Sequence, residues 1–144
     1  MELLYLNEHP LLCFLDKAEI AKLNTIAIGK DFMAHDTIIR VNDRSRDLIC
    51  IDEGSVSVQV EKIDGSIIEM ARLHDGSLIG EMNFIIPTRR TANVVSITEI
   101  YATIYPYQRM MELFRDETAI AAKVFAALNV SLASKYWFMV GRLC

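Results

Sequence analysis

Between Asp36 and Tyr105 the chain is cut into short apolar runs by turn residues, and this rhythm limits the possible fold more than any other feature. The runs are T37-I-I-R-V41, L48-I-C-I-D52, V56-S-V-Q-V60, I67-I-E-M-A-R-L73, N93-V-V-S96 and I100-Y-A-T-I-Y105. They are rich in β-branched side chains, and V56-S-V-Q-V60 alternates strictly, as a half-buried strand does. Asp64-Gly65 separates two of the runs and is a favoured sequence for a tight hairpin with positive φ. Asp52-Glu53-Gly54 and Asp75-Gly76 punctuate in the same way. Short strands at this spacing indicate an antiparallel barrel or sandwich rather than a parallel βαβ sheet.

The period changes on either side of this region. Leu11, Leu12, Leu15, Ile20, Leu23 and Ile26 predict two short helices, at 8–14 and 16–24. Asp16 opens the second, because its carboxylate can accept hydrogen bonds from free first-turn amides. Past Tyr105, Pro106 opens a helix over Y107-Q-R-M-M-E-L-F114. Asp116 and Glu117 then mark the acidic start of a longer helix reaching about residue 140. Ile120, Val124, Leu128 and Leu132 form one stripe on it, and Phe125, Trp137, Phe138 and Met139 widen the apolar surface. A helix this apolar packs against something. Part of it is expected to cover the barrel. The rest suits a homodimer through this helix, or an effector protein that the sequence does not identify. The stripe is not a sustained heptad, so no long coiled coil is expected. The expected division is one domain over 1–144, with N-terminal helices at 1–34, a β-barrel at 35–105 and C-terminal helices at 106–144.

Bulk properties narrow the function. The 144 residues are 52% hydrophobic and 24% charged, enough for a packed core. A formal net charge of -4 argues against a nucleic-acid binder, which needs a basic face to displace counterions. Cys13, Cys50 and Cys144 are odd in number and far apart, which fits reduced thiols in a cytoplasmic protein. Glu2 and Glu8 precede any Lys or Arg, so no signal peptide is expected. The most apolar stretch, V-F-A-A-L-N-V-S-L-A-S between Lys123 and Lys135, is far shorter than the roughly 20 residues a membrane span needs.

Catalytic and metal motifs do not emerge. His9, His35 and His74 lack metal-ligand spacing, and the nucleophile elbow, the P-loop and the dinucleotide fingerprint are all missing. A non-enzymatic protein without cofactor or metal is expected. One stretch, G80-E-M-N-F-I-I-P-T-R-R-T-A-N-V94, carries charges where the neighbouring pattern is apolar. Gly76 and Gly80 allow positive φ or close approach to a ligand. The Glu81 carboxylate can accept from a sugar hydroxyl. Arg90, with the N–H groups of Thr91 and Ala92 beside it, has what a phosphate diester anion requires. The other reading is a Glu81–Arg90 ion pair holding a loop shut, and residue chemistry alone does not choose between them.

G80-E81 followed by R90-T91-A92-N93-V94 resembles the phosphate-binding cassette of cyclic nucleotide-binding domains. I51-D-E-G-S-V-S-V58 is similar to that family's strand-Gly-strand signature, D64-G65 to its hairpin, and L73-H-D-G-S-L-I-G-E81 to its approach to the cassette. The resemblance implies a mainly β fold, an antiparallel eight-stranded jelly-roll-like barrel with flanking helices. It also implies a regulatory module binding cyclic AMP or cyclic GMP. In that reading Glu81 takes the ribose 2′-hydroxyl, with Gly80 and Met82 contributing backbone. Arg90 pairs with the cyclic phosphate, helped by Thr91 and Ala92, and Leu73 and Ile79 are apolar neighbours of base or sugar. The C-terminal helix would shift to cover the base.

The chain departs from the pattern at Ile79, where an aromatic is usual, and at Arg89, where proline is common. His35-Asp36 and Asn42-Asp43 stand where the family commonly has glycines. Thr91 occurs in binders of either nucleotide, and the family's breadth of use leans to cyclic AMP. The alternatives are a same-fold interaction module that has lost nucleotide binding and a cupin-like metal barrel, the latter disfavoured by the missing histidine cluster. Only four residues follow residue 140, so DNA binding by this chain alone is not expected.

Overall fold

The computed structural model describes residues 3–142. Its first helix, α1 (Lys17–Asn24), is followed by strands β1 (Ile28–Phe32), β2 (Thr37–Ile39), β3 (Leu48–Glu53), β4 (Val56–Glu61), β5 (Ile67–Leu73) and β6 (Ser77–Ile79). A short helix α2 (Glu81–Ile85) leads to β7 (Asn93–Ser96) and β8 (Ile100–Tyr105). Helices α3 (Tyr107–Asp116) and α4 (Thr118–Gly141) complete the described chain. The strands form two four-stranded antiparallel sheets, in the orders β1-β8-β3-β6 and β2-β7-β4-β5. This is the interleaving of a jelly roll, two facing sheets rather than one hydrogen-bonded ring.

Strand β3 shows why the sheets stack as they do. Its residues Leu48, Ile49, Cys50 and Ile51 are all buried, because both of its faces are covered. Ile49 and Ile51 point between the sheets, where they pack with Ile39, Val56, Ile79, Val94, Ile100 and Ala102. Leu48 and Cys50 point the other way, onto a second core with Leu78, Phe84, Tyr105, Met110, Phe114, Ile120, Val124 and Leu128. The helices thus cover the outer face of the β3 sheet. Asp16 and Glu19 form a reciprocal capping box at the start of α1. Lys123 reaches Glu19 at 2.7 Å and Lys22 reaches Glu117 at 2.7 Å, fixing α1 against the C-terminal helices.

The structure corrects several sequence expectations. Residues 10–14 form turns, not a helix. The His9 ring accepts from the amides of Leu11 and Leu12, and Asn7 accepts from His9, so side chains take donors that a helix would leave for its own carbonyls. The sheet begins at Ile28, not after residue 34. Strand β1, I-G-K-D-F, is mostly exposed and lacks an apolar rhythm, but it pairs with β8 along its whole length. Leu132 is only half-buried; the buried residues of α4 are Ile120, Val124, Ala127 and Leu128. His35 and Asn42 do take the glycine-like conformation at φ 70° and 71°. No helix among the described residues is long and apolar enough to cross a membrane.

Candidate functional site

The segment 80–94 contains more structure than its sequence suggests. β6 ends at Ile79, and Gly80 turns the chain at φ 90° into α2, whose first residue is Glu81. A side chain at Gly80 would be strained twice over. Its Cβ would lie 2.5 Å from Arg90 Nη1 and 2.8 Å from the Asp47 carbonyl oxygen, in a conformation that disfavours any Cβ. Beyond α2, the Asn83 side-chain amide donates to both the carbonyl and the hydroxyl of Thr88, each at 3.1 Å. That folds the Pro87-Thr88 break back toward the helix. The main chain of Arg90 then exchanges hydrogen bonds with the 42–43 turn, donating to the Asp43 carbonyl and accepting from the Asn42 amide, both at 2.8 Å. The left-handed Asn42 therefore helps set where Arg90 emerges.

Arg90 is 3% exposed. Its guanidinium donates to the Asp47 carbonyl at 2.8 Å, to Asn83 Oδ1 at 3.1 Å and, at the long limit, to Ser45 Oγ at 3.5 Å. Its Nε–H has no partner. An orphaned buried donor is costly, by about 1–3 kcal/mol, and an arriving anion would supply the acceptor it lacks. Burial lowers the guanidinium's pKa, and the nearby Asp47 and Asp43 carboxylates raise it in part. Arginine stays cationic through such changes. The cradle thus holds a pre-positioned positive charge with one buried donor unused.

Glu81 is equally buried and has different partners. Its carboxylate accepts from Ser131 Oγ at 2.7 Å and from Lys135 Nζ at 2.9 Å, and the same ammonium lies 2.8 Å from the other oxygen. Both donors come from α4. The Glu81–Arg90 ion pair that the sequence allowed is not formed; each residue is held by other groups.

The remaining expected residues divide. Met82 and Thr91 are exposed and Ala92 is half-buried. Ile79 belongs to the core between the sheets, with Leu73 packed against it. Arg89 is exposed, donating to the Asn42 carbonyl.

Sequence reasoning missed the supports. Arg46 donates to the carbonyls of Asn83 and Phe84 at the end of α2 and lies 4.0 Å over the Tyr107 ring. The Asp47 carboxylate accepts from the Tyr107 amide at the start of α3. Phe84 in turn meets Phe114 and Phe125 edge-on or tilted. The short helix of the cassette is thereby wired to both C-terminal helices. The advance signals were the polar S45-R-D47 run beside an apolar strand, and Ser131 and Lys135 four apart on a mostly apolar helix.

A second cluster was invisible in sequence because its members are far apart. His9, Cys50 and Asp52 bring potential ligand atoms within 4.8 Å of one another. Its hydrogen bonding does not suit a metal. His9 Nδ1 already accepts from two backbone amides, so the ring proton sits on Nε2, the atom facing Cys50 Sγ at 3.8 Å. Burial, with the neighbouring Asp52 charge, pushes the Cys50 thiol up to about 12, so it stays protonated.

Comparison with known proteins bears on the fold and the family. A search of curated proteins gives no match. Among solved structures, the fold is similar to a cyclic nucleotide-binding domain from Methylobacillus flagellatus (TM-score 0.85, 20% identity, covering 89% of this chain and 72% of that one). It is similar to the N-terminal domain of a transcriptional regulator from Streptomyces coelicolor (TM-score 0.77, 23% identity, 94% and 95%). A third relative is the regulatory subunit of a cAMP-independent protein kinase A from Trypanosoma brucei (TM-score 0.76, 24% identity, 97% of this chain but 49% of that one). At these identities the likeness establishes the fold. The sequence itself matches the cyclic nucleotide-binding domain model over residues 30–117, well over half its length, and the chain therefore belongs to the cyclic nucleotide-binding domain family.

Proposed function

We propose that this chain is a non-catalytic sensor that binds a cyclic nucleotide through the 80–94 cassette, with Arg90 taking the cyclic phosphate and Glu81 the ribose hydroxyl. The observation that carries this reading is the buried Arg90 guanidinium, fixed on three sides yet left with an unpartnered Nε–H. A phosphate diester offers the acceptor and the charge together. The amides of Thr91 and Ala92 lie beside it and supply further donors. Cyclic AMP is the first ligand to test and cyclic GMP the second, since Thr91 is exposed and its hydroxyl suits a guanine amino group. Gly80 and Met82 contribute backbone at the sugar, and Leu73 and Ile79 support the cassette from the core.

The output runs through the C-terminal helices, and a cytoplasmic setting fits the reduced thiols. Tyr136, Trp137, Phe138 and Met139 leave an exposed apolar surface on α4 that suits a second copy of the chain or an effector protein.

A second reading has its own support. Both ligand residues are buried and engaged by protein groups, as they would be in an interaction module that no longer takes a nucleotide. Thermal unfolding with cyclic AMP, cyclic GMP and adenosine separates the two. A ligand at about 100 times its Kd adds about 2.7 kcal/mol, so the melting temperature should rise by roughly 5 °C or more with a cyclic nucleotide. Adenosine, lacking the phosphate, should give no rise. No shift with either cyclic nucleotide at millimolar concentration would favour the interaction module.

A further inference from the structure

We propose that α4 carries a built-in competitor for the sugar subsite: Lys135 and Ser131 occupy the Glu81 carboxylate and keep the pocket shut until a ligand displaces them. This rests on the reading that Glu81 takes the ribose hydroxyl.

The geometry of Lys135 is that of a clamp. Its ammonium has three donors, and three acceptors surround it: both Glu81 oxygens, at 2.9 and 2.8 Å, and the Leu78 carbonyl at 2.6 Å. Leu78 lies in β6 and Glu81 opens α2, so a single lysine bridges the two sides of the Gly80 turn. Ser131 donates to one of the same oxygens. With these donors in place Glu81 is 3% exposed, and a ribose hydroxyl has no open approach to it.

Little else holds this part of the helix. Leu128, Ser131 and Lys135 share one face at i, i+3 and i+7. Leu128 is fully buried in the helical core, but no residue of α4 beyond it is buried. From Tyr136 to Met139 the side chains are more than half exposed. The proximal half of α4 is anchored by apolar packing. The distal half is held to the cassette by the lysine and the serine, and the Lys135 side chain, 41% exposed, is free to swing into solvent. Nucleotide binding and distal-helix docking thus draw on the same carboxylate. Ligand entry frees residues 129–141 from the Glu81 carboxylate, and the freed half of α4 can then shift over the base.

A two-state equilibrium of this kind lowers apparent affinity by the fraction of open molecules. Lys135→Met keeps the length of the stem and removes the ammonium. In calorimetric titration of the full chain with cyclic AMP, this variant should bind about 10-fold tighter or more, as it would if ~10% or less of the wild-type chain were open. Without nucleotide, amide hydrogen exchange should speed up over 129–141 in Lys135→Met, and stay unchanged over 118–128. Ser131→Ala should change both quantities in the same direction and by less. A wild-type chain that binds, together with a Lys135→Met variant that binds equally or more weakly, overturns the clamp and leaves the ligand reading standing. Unchanged exchange over 129–141 also overturns it. If neither form takes up cyclic AMP or cyclic GMP, the ligand reading falls, and the competitor falls with it.

Discussion

Gly80 is the residue on which the cassette turns, and replacing it with alanine tests whether the Arg90 cradle is as tight as the structure has it. Two penalties act there. The first is conformational: a Cβ at φ 90° costs about 1–2 kcal/mol. The second is steric. The new methyl group would lie 2.5 Å from Arg90 Nη1 and 2.8 Å from the Asp47 carbonyl. The carbonyl is backbone, so the guanidinium must yield, losing charge-assisted bonds worth about 1.5–3 kcal/mol.

Gly76 provides the internal control, because it has nearly the same conformation, φ 80°, and nothing within 4 Å of its missing Cβ. Gly76→Ala should therefore cost about 1–2 kcal/mol and Gly80→Ala about 3–5 kcal/mol. Urea unfolding followed by circular dichroism reads the difference. With a slope of about 1–3 kcal/mol per molar, an excess of about 2 kcal/mol separates the midpoints by roughly 1 M. Two variants within about 0.5 kcal/mol of each other would refute the close approach of Arg90 to the Gly80 turn.

Acid should weaken the fold through His9. Burial lowers its pKa below the ordinary 6.5, opposed in part by Asp52, so between the folded value and 6.5 the unfolded chain binds more protons. Stability is then greatest above pH 6.5 and declines as the pH falls through that interval. Thermal melts from pH 7.5 to 5 should show this slope, and His9→Asn should flatten it. A slope unchanged in the variant would contradict the assignment. Asp64 and Glu69, whose pKa values are lowered by bonds from Ser66 and Ser57 respectively, lose their contribution only in more acidic solution, below about 3.8 and 4.5. Relief of backbone strain predicts that His35→Gly stabilises by about 0.5–1 kcal/mol in chemical unfolding, whereas Asn42→Gly is nearly neutral because asparagine tolerates the left-handed region. Equal effects at the two sites would argue against that difference.

Much of the sandwich was legible because its strands advertise themselves. V56-S-V-Q-V60 alternates, and Asp64-Gly65 turns between β4 and β5 with Gly65 at φ 86°. Strand β1 was not legible, since Gly29, Lys30 and Asp31 carry no apolar rhythm and their pairing with β8 spans about half of the chain. α2 was hidden because five residues cannot show a helical period, and its stability comes from Arg46 and Phe84 rather than from local propensity. In the cassette, Glu81 and Arg90 stood out as charges in apolar surroundings, and both prove buried. Their partners did not stand out. Ser131 and Lys135 lie about 50 residues away from Glu81 in sequence, and the Asp47 group bonded to Arg90 is a backbone carbonyl that every residue carries.

The central claim is that Arg90 holds the phosphate of a cyclic nucleotide. Calorimetric titration of the wild-type chain and of Arg90→Ala with cyclic AMP and cyclic GMP tests it most directly. The account predicts one-to-one binding of at least one nucleotide by the wild type. It also predicts a loss of about 2–4 kcal/mol, roughly 30- to 1000-fold in Kd, in the variant. No heat from the wild type at millimolar ligand, or equal affinity in the two proteins, would contradict it.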